Sequence, residues 1–261
     1  MIGIREWKWS KGGEWMSKGF QAFRQDFGPW IIFIVCHMTT IVLVSFIPFI
    51  GSIANGILPS IIKGVGMRLI DDRHRSDIPM SFGAIQPELN QSGTELLGLG
   101  ALNWGLNFVA TLPIIVVGIG GAIAAGLGSA FITTVFSGQL GSVPMSIEDG
   151  TLVLILIAFF IGLVITLVLL VGVFMATVFA PYLIVLKGVK TLDAMKLSFN
   201  AVRQNPMSIT SLSLFWLLYV FCGLLLCGVG ILLVGPIIQL SIYFAAEDIF
   251  DDSLQLADDS E

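Results

Sequence analysis

Along the 261 residues, polar and apolar positions segregate into long uncharged runs separated by short polar stretches. The first run, 30–48, is entered through Gly28-Pro29 and left through Pro48-Phe49-Ile50-Gly51. A second, 53–70, is less apolar and carries Pro59, Lys63 and Arg68; further runs cover 96–119, 151–180, 209–227 and 231–246. Most match the roughly 20 residues a helix needs to cross a hydrocarbon core. The run 151–180 holds thirty residues without a charge, so it must tilt or protrude into water. The pattern predicts an all-α fold: a polytopic membrane protein whose six transmembrane helices form one domain over 30–246. An amphipathic segment, 1–29, precedes it and an acidic tail, 247–261, follows.

Composition agrees with that class. Only 12% of the residues are charged, half the usual quarter, while 56% are hydrophobic. A water-soluble globule of this size could not cover its surface so. Disorder, a collagen-like chain, a disulfide scaffold and a nucleic-acid binder are excluded with it. Residues 1–29 are too polar for a cleavable signal, so the first run is expected to stay in the mature protein. The 13 Lys and Arg residues set the orientation. With six spans every basic loop faces one side, the cytoplasm, and both termini lie there too. A seventh crossing at 120–141 would put the basic stretch 187–203 outside, against the positive-inside rule. Small residues recur every fourth position from Gly118 to Gly138. On a helix they form a face for close backbone approach, within the bundle, in a re-entrant or interfacial helix, or at a homo-oligomer seam. Seven acids fall in 247–261, so the net charge of −5 would be +2 without the tail.

An internal repeat organises the runs. Phe20, Ala22, Arg24 and Gln25 ahead of the first recur as Phe199, Ala201, Arg203 and Gln204 ahead of the fifth. A weaker copy, 81–87, precedes the third. Three parallel units are expected, each an amphipathic cytoplasmic helix followed by a hairpin of two spans. Trp15, Phe20 and Arg24 in the first such helix, and Phe199 and Arg203 in the last, suit anchoring among anionic headgroups. Thr191 suits a cap. The stretch Ala180-Pro181-Tyr182, Leu192 to Phe199 and Arg203-Gln204-Asn205 resembles a broad group of bacterial six-helix inner-membrane proteins. These are the YciC-type proteins and the membrane domain attached to some glycerophosphodiester phosphodiesterases. The resemblance implies a bacterial inner-membrane location and carries no catalytic residue. The phosphodiesterase barrel is absent, so that activity is not implied.

Polar groups at membrane depth are the candidate chemistry. His37 and Lys63 lie thirteen residues to either side of Ile50, at one depth in a hairpin. Asn103 and Asn107 share a face of the third span near that depth, and Gln239 lies about two turns inside the sixth. Two readings stand. These residues line a cytoplasm-facing vestibule for a lipid headgroup or small anion, or Lys63 snorkels and the others make interhelical hydrogen bonds. The remaining chemistry is thin. Cys36, Cys222 and Cys227 suit buried apolar positions. Arg73-His74-Arg75 reads as a solvated loop. No spacing suggests a metal site, a cofactor loop, or a nucleophile with its base. The expected role is non-enzymatic, as an interaction, membrane-organising or accessory subunit. The alternatives are a lipid or small-solute binding protein and an immunity protein against a membrane-active toxin.

Overall fold

The computed structural model describes residues 2–47, 50–80, 83, 85–124, 149–225 and 229–250. In chain order the helices are α1 (Lys11–Gln25), α2 (Phe27–Ser45), α3 (Ile50–Ser76), α4 (Ile85–Ala124) and α5 (Asp149–Thr177). They continue with α6 (Ala180–Lys187), α7 (Thr191–Gln204), α8 (Pro206–Leu225) and α9 (Val229–Phe250). No strand occurs among the described residues, and six helices there are long and apolar enough to cross a membrane. The chain is all-α and multi-pass.

The chain forms two compact units, Met1–Trp104 with Phe174–Glu261, and Gly105–Val173. In the first, two amphipathic helices each run directly into a span. α1 buries Gly12, Trp15, Met16, Gly19 and Phe23, the three-and-four spacing of one helix face. α7 buries Thr191, Ala194, Met195, Ser198, Ala201 and Val202 on the same spacing. Both end alike. Asp26 (φ −119°, ψ 42°) donates its backbone N–H to Ala22 O, and Asn205 (φ −117°, ψ 45°) donates to Ala201 O and Val202 O. These positions are equivalent in the repeat, so the backbone turn repeats with the letters.

The hairpins close through small residues. Asn55 Nδ2 donates to Ser45 Oγ at 2.7 Å across the α2–α3 turn, where Gly51 lies against the Val44 carbonyl. In α8–α9, a Cβ on Gly230 would come 2.8 Å from Gly223 O. The second unit is one antiparallel helix pair: Gly121 faces Ile155, and Gly162 faces Val117 and the Pro113 carbonyl. At Gly118 and Gly120 of α4 an added Cβ would meet nothing within 4 Å among the described residues. The rest of that small-residue face, from residue 125 onward, lies outside the described residues.

The core of the first unit gathers around α9, the most enclosed span, with 67% of its apolar window buried. Gly19 sits so close to it that a Cβ would be 2.8 Å from Ser241 N. Gly12 meets α8 likewise, at 2.6 Å from Leu212 N. Toward the end of α9, Tyr182, Tyr243, Phe179 and Phe250 form a buried aromatic cluster.

Several boundaries differ from the sequence reading. α9 runs on to Phe250, so Glu247 and Asp248 are helical; 251–261 lies outside the described residues. The 151–180 run breaks at Val178-Phe179, ahead of Pro181, which has no N–H to donate to Thr177 O. Ser198 bridges this break: its hydroxyl accepts from Phe179 N at 3.1 Å and donates to Met175 O at 2.8 Å. In the third unit Ser81, Phe82 and Ala84 lie outside the described residues. From Ile85, α4 continues unbroken into its span. At 1.5 Å per residue its 40 residues extend about 60 Å, twice a bilayer core, so one end stands clear of lipid.

Candidate ligand-binding cavity

The spans of the first unit do not close completely. Between α2, α3, α9 and the α5–α6 break lies a cavity of about 310 Å³. Its wall includes proline from three helices, Pro59, Pro181 and Pro236. Pro59 and Pro236 lie inside α3 and α9, where each removes one backbone hydrogen bond and sets its ring against the preceding turn, and Pro181 lies in the first turn of α6.

Four of the five polar residues singled out in the sequence line this cavity: His37, Lys63, Asn103 and Gln239. The hairpin register explains His37 and Lys63. The Ser45–Asn55 hydrogen bond pairs residues whose numbers sum to the same value, so both pairs lie at matching levels. Gln239 is held in place, its Nε2 donating to the Lys63 carbonyl at 3.0 Å. Gly66 makes this possible, because a Cβ there would collide with the Gln239 amide. Asn107 belongs to the second unit, where its carbonyl accepts from Thr111 Oγ1 at 3.1 Å.

Charge in the cavity is one-sided. Among the described residues Lys63 is its lone Lys or Arg, and no carboxylate lines it. Among the described residues the Lys63 ammonium has no ion pair or hydrogen bond. The His37 Nδ1 is buried and likewise unpartnered there. The remaining wall is largely apolar, aliphatic for the most part, with four aromatic rings, Trp30, Phe33, Phe174 and Trp216. Trp216 spends its indole N–H on Ser241 Oγ at 2.9 Å, which leaves its ring for the cavity. These aromatics escape sequence reasoning because every span carries some. The prolines inside apolar runs were the usable signal.

A second cavity, of about 210 Å³, lies beside Asp26, Arg73, His74 and Asp77, and Trp30 lines both. Its charges are mutually satisfied. Arg73 Nε donates to Asp26 Oδ2 at 2.8 Å and its other arm meets Asp77, while His74 Nε2 lies 3.5 Å from Glu247 Oε2. Tyr243 donates to Asp71 at 2.7 Å, and Arg75 reaches both Asp71 and Glu247. Arg73-His74-Arg75 is thus the last turn of α3 rather than a loop, tied to the α1–α2 turn and to α9, with His74 and Arg75 still exposed.

The anchors divide. Phe20, Arg24, Phe199 and Arg203 are exposed, with the Arg24 guanidinium 5.9 Å from the Phe20 ring centroid. Trp15 is not an interfacial anchor: it has no exposed surface, and its Nε1 donates to Asp248 Oδ2 at 2.8 Å. The amphipathic face of α1 meets protein, and the indole completes a buried ring of contacts on α8 and α9. Cys36 and Cys222, expected to be buried, are exposed on α2 and α8; Cys227 lies outside the described residues. Thr191 does not cap its own helix. Glu95 of α4 does so, its Oε2 accepting from Thr191 N at 2.8 Å and from Thr191 Oγ1 at 2.6 Å. Among the described residues no three His, Cys, Asp or Glu side chains converge to hold a metal. Family models, curated proteins and solved structures were all compared with the chain, and none matches.

Proposed function

We propose that this chain is a non-enzymatic multi-pass protein of the bacterial inner membrane, with cytoplasmic termini, that binds a lipid-like or small solute inside its bundle. The observation that carries the reading is the cavity at Lys63. An ammonium at membrane depth is costly unless a counter-charge or water meets it, and this one faces a space. The volume lies at the lower end of the range of small-molecule sites, and the wall combines aromatic surface with a few polar groups, as such sites do. The resemblance to six-helix inner-membrane proteins supports the location and leaves the ligand open.

Lys63→Met tests it. In mild detergent, native mass spectrometry of the full chain should find a bound molecule that the folded variant has lost. Equal retention by both proteins would end the proposal. The alternative, an interaction or organising subunit, is favoured by one observation, the open space beside Gly118 and Gly120. If that reading holds instead, Lys63→Met changes nothing, while Gly118→Leu alters the oligomeric state or the co-purifying proteins.

A further inference from the structure

Resting on that reading, we infer that the cavity ligand is a compact monoanionic amphiphile, a monocarboxylate. Size comes first. A cavity of about 310 Å³ lies at the lower end of small-molecule sites and suits a compact ligand. It could not enclose both chains of a diacyl phospholipid, and among the described residues no carboxylate lines it to hold a metal ion.

Charge comes second. The wall supplies one fixed positive charge, Lys63, and no acid. A single negative charge balances it; a dianionic phosphate would leave an excess charge at membrane depth, and an organic cation would meet repulsion.

The division of the wall comes third. His37 and Asn103 add polar side chains to the wall near Lys63. Beyond these polar groups, Trp30, Phe33, Phe174 and Trp216 present ring surface, which suits a hydrocarbon or aromatic body. Gln239 is already engaged with the Lys63 backbone and serves as wall. The carboxylate therefore sits at Lys63, and the apolar body lies among the rings.

The test uses three probes of nearly equal size, octanoate, octanamide and octylammonium. Each is titrated into the full chain in nanodiscs of zwitterionic lipid, read by tryptophan fluorescence against empty nanodiscs. Octanoate should bind saturably, octanamide about tenfold or more weakly, and octylammonium not at all. Lys63→Arg should keep the preference and Lys63→Met should abolish it. A preference for octylammonium, or an octanoate preference that survives Lys63→Met, overturns the monoanion. Saturable binding of some probe would still leave the cavity reading standing. If no probe binds saturably while a Lys63-dependent molecule co-purifies, the ligand class alone is wrong. If neither is found, both proposals fall.

Discussion

Asn205 shows how much a single side chain can carry here. Its Oδ1 accepts from Trp7 N at 2.7 Å, and its Nδ2 donates to Arg5 O and Ala201 O at 2.9 and 3.1 Å. It is buried at the α7–α8 turn. Asn205→Ala strands at least one buried backbone donor and one acceptor, so the melting point in detergent should fall by the equivalent of about 1–3 kcal/mol. Gly19→Val should cost a similar amount, about 1–3 kcal/mol by thermal melting, because α9 backbone lies where the new carbons would go. Gly66→Ala differs. The obstacle is the free end of Gln239, so the fold should survive while the amide leaves Lys63 O and enters the cavity. Its signature is altered octanoate affinity with a melting point close to that of the parent protein. Of these residues only Gln239 was legible beforehand. A polar side chain in an apolar run announces itself, whereas the space left by a glycine depends on a partner far away in sequence.

At the scale of elements, the periodic and compositional signals were read well and the breaks poorly. Runs of this length and hydropathy leave one physical outcome in lipid, the helix, because every backbone group must find a partner within the segment. The α1–α2 and α7–α8 turns could be matched because the same letters precede both. The Val178-Phe179 break could not, since Pro181 alone does not say whether a helix kinks or stops. The bridge is supplied by Ser198 from a different helix. Ser198→Ala should leave Phe179 N and Met175 O to find each other or go unpaired, at a cost of about 1–3 kcal/mol in melting experiments. Because Thr177, Val178 and Pro181 line the cavity, the same variant should also weaken octanoate binding. Trp15 was misplaced for a related reason. An amphipathic helix offers its apolar face to headgroups or to protein with equal ease, and only α8 and α9 decide which.

Across the whole chain, contacts between residues far apart in sequence set the packing. The N-terminal segment is tied down by the last helices: Arg5 N donates to Ile249 O at 3.0 Å, Trp7 Nε1 to Asp248 O at 3.1 Å, and Ser208 Oγ to Trp7 O at 2.7 Å. Composition could place these residues on one side of a membrane but could not pair them, because pairs more than 200 residues apart leave no local trace. The attachment has a consequence for biosynthesis. The partners of α1 are made about 200 residues after it, so the Trp15 face of α1 stays uncovered until α8 and α9 are inserted. Closing so long a loop late is slow, and in the interval the uncovered face is open to wrong partners. A chain ending at Leu225 should be cut rapidly by trypsin at Lys18 and Arg24, whereas the full chain resists; equal cleavage would show that α1 is protected without α9. α9 thus acts as a completion signal: until it arrives, α1 remains visible to proteases and chaperones.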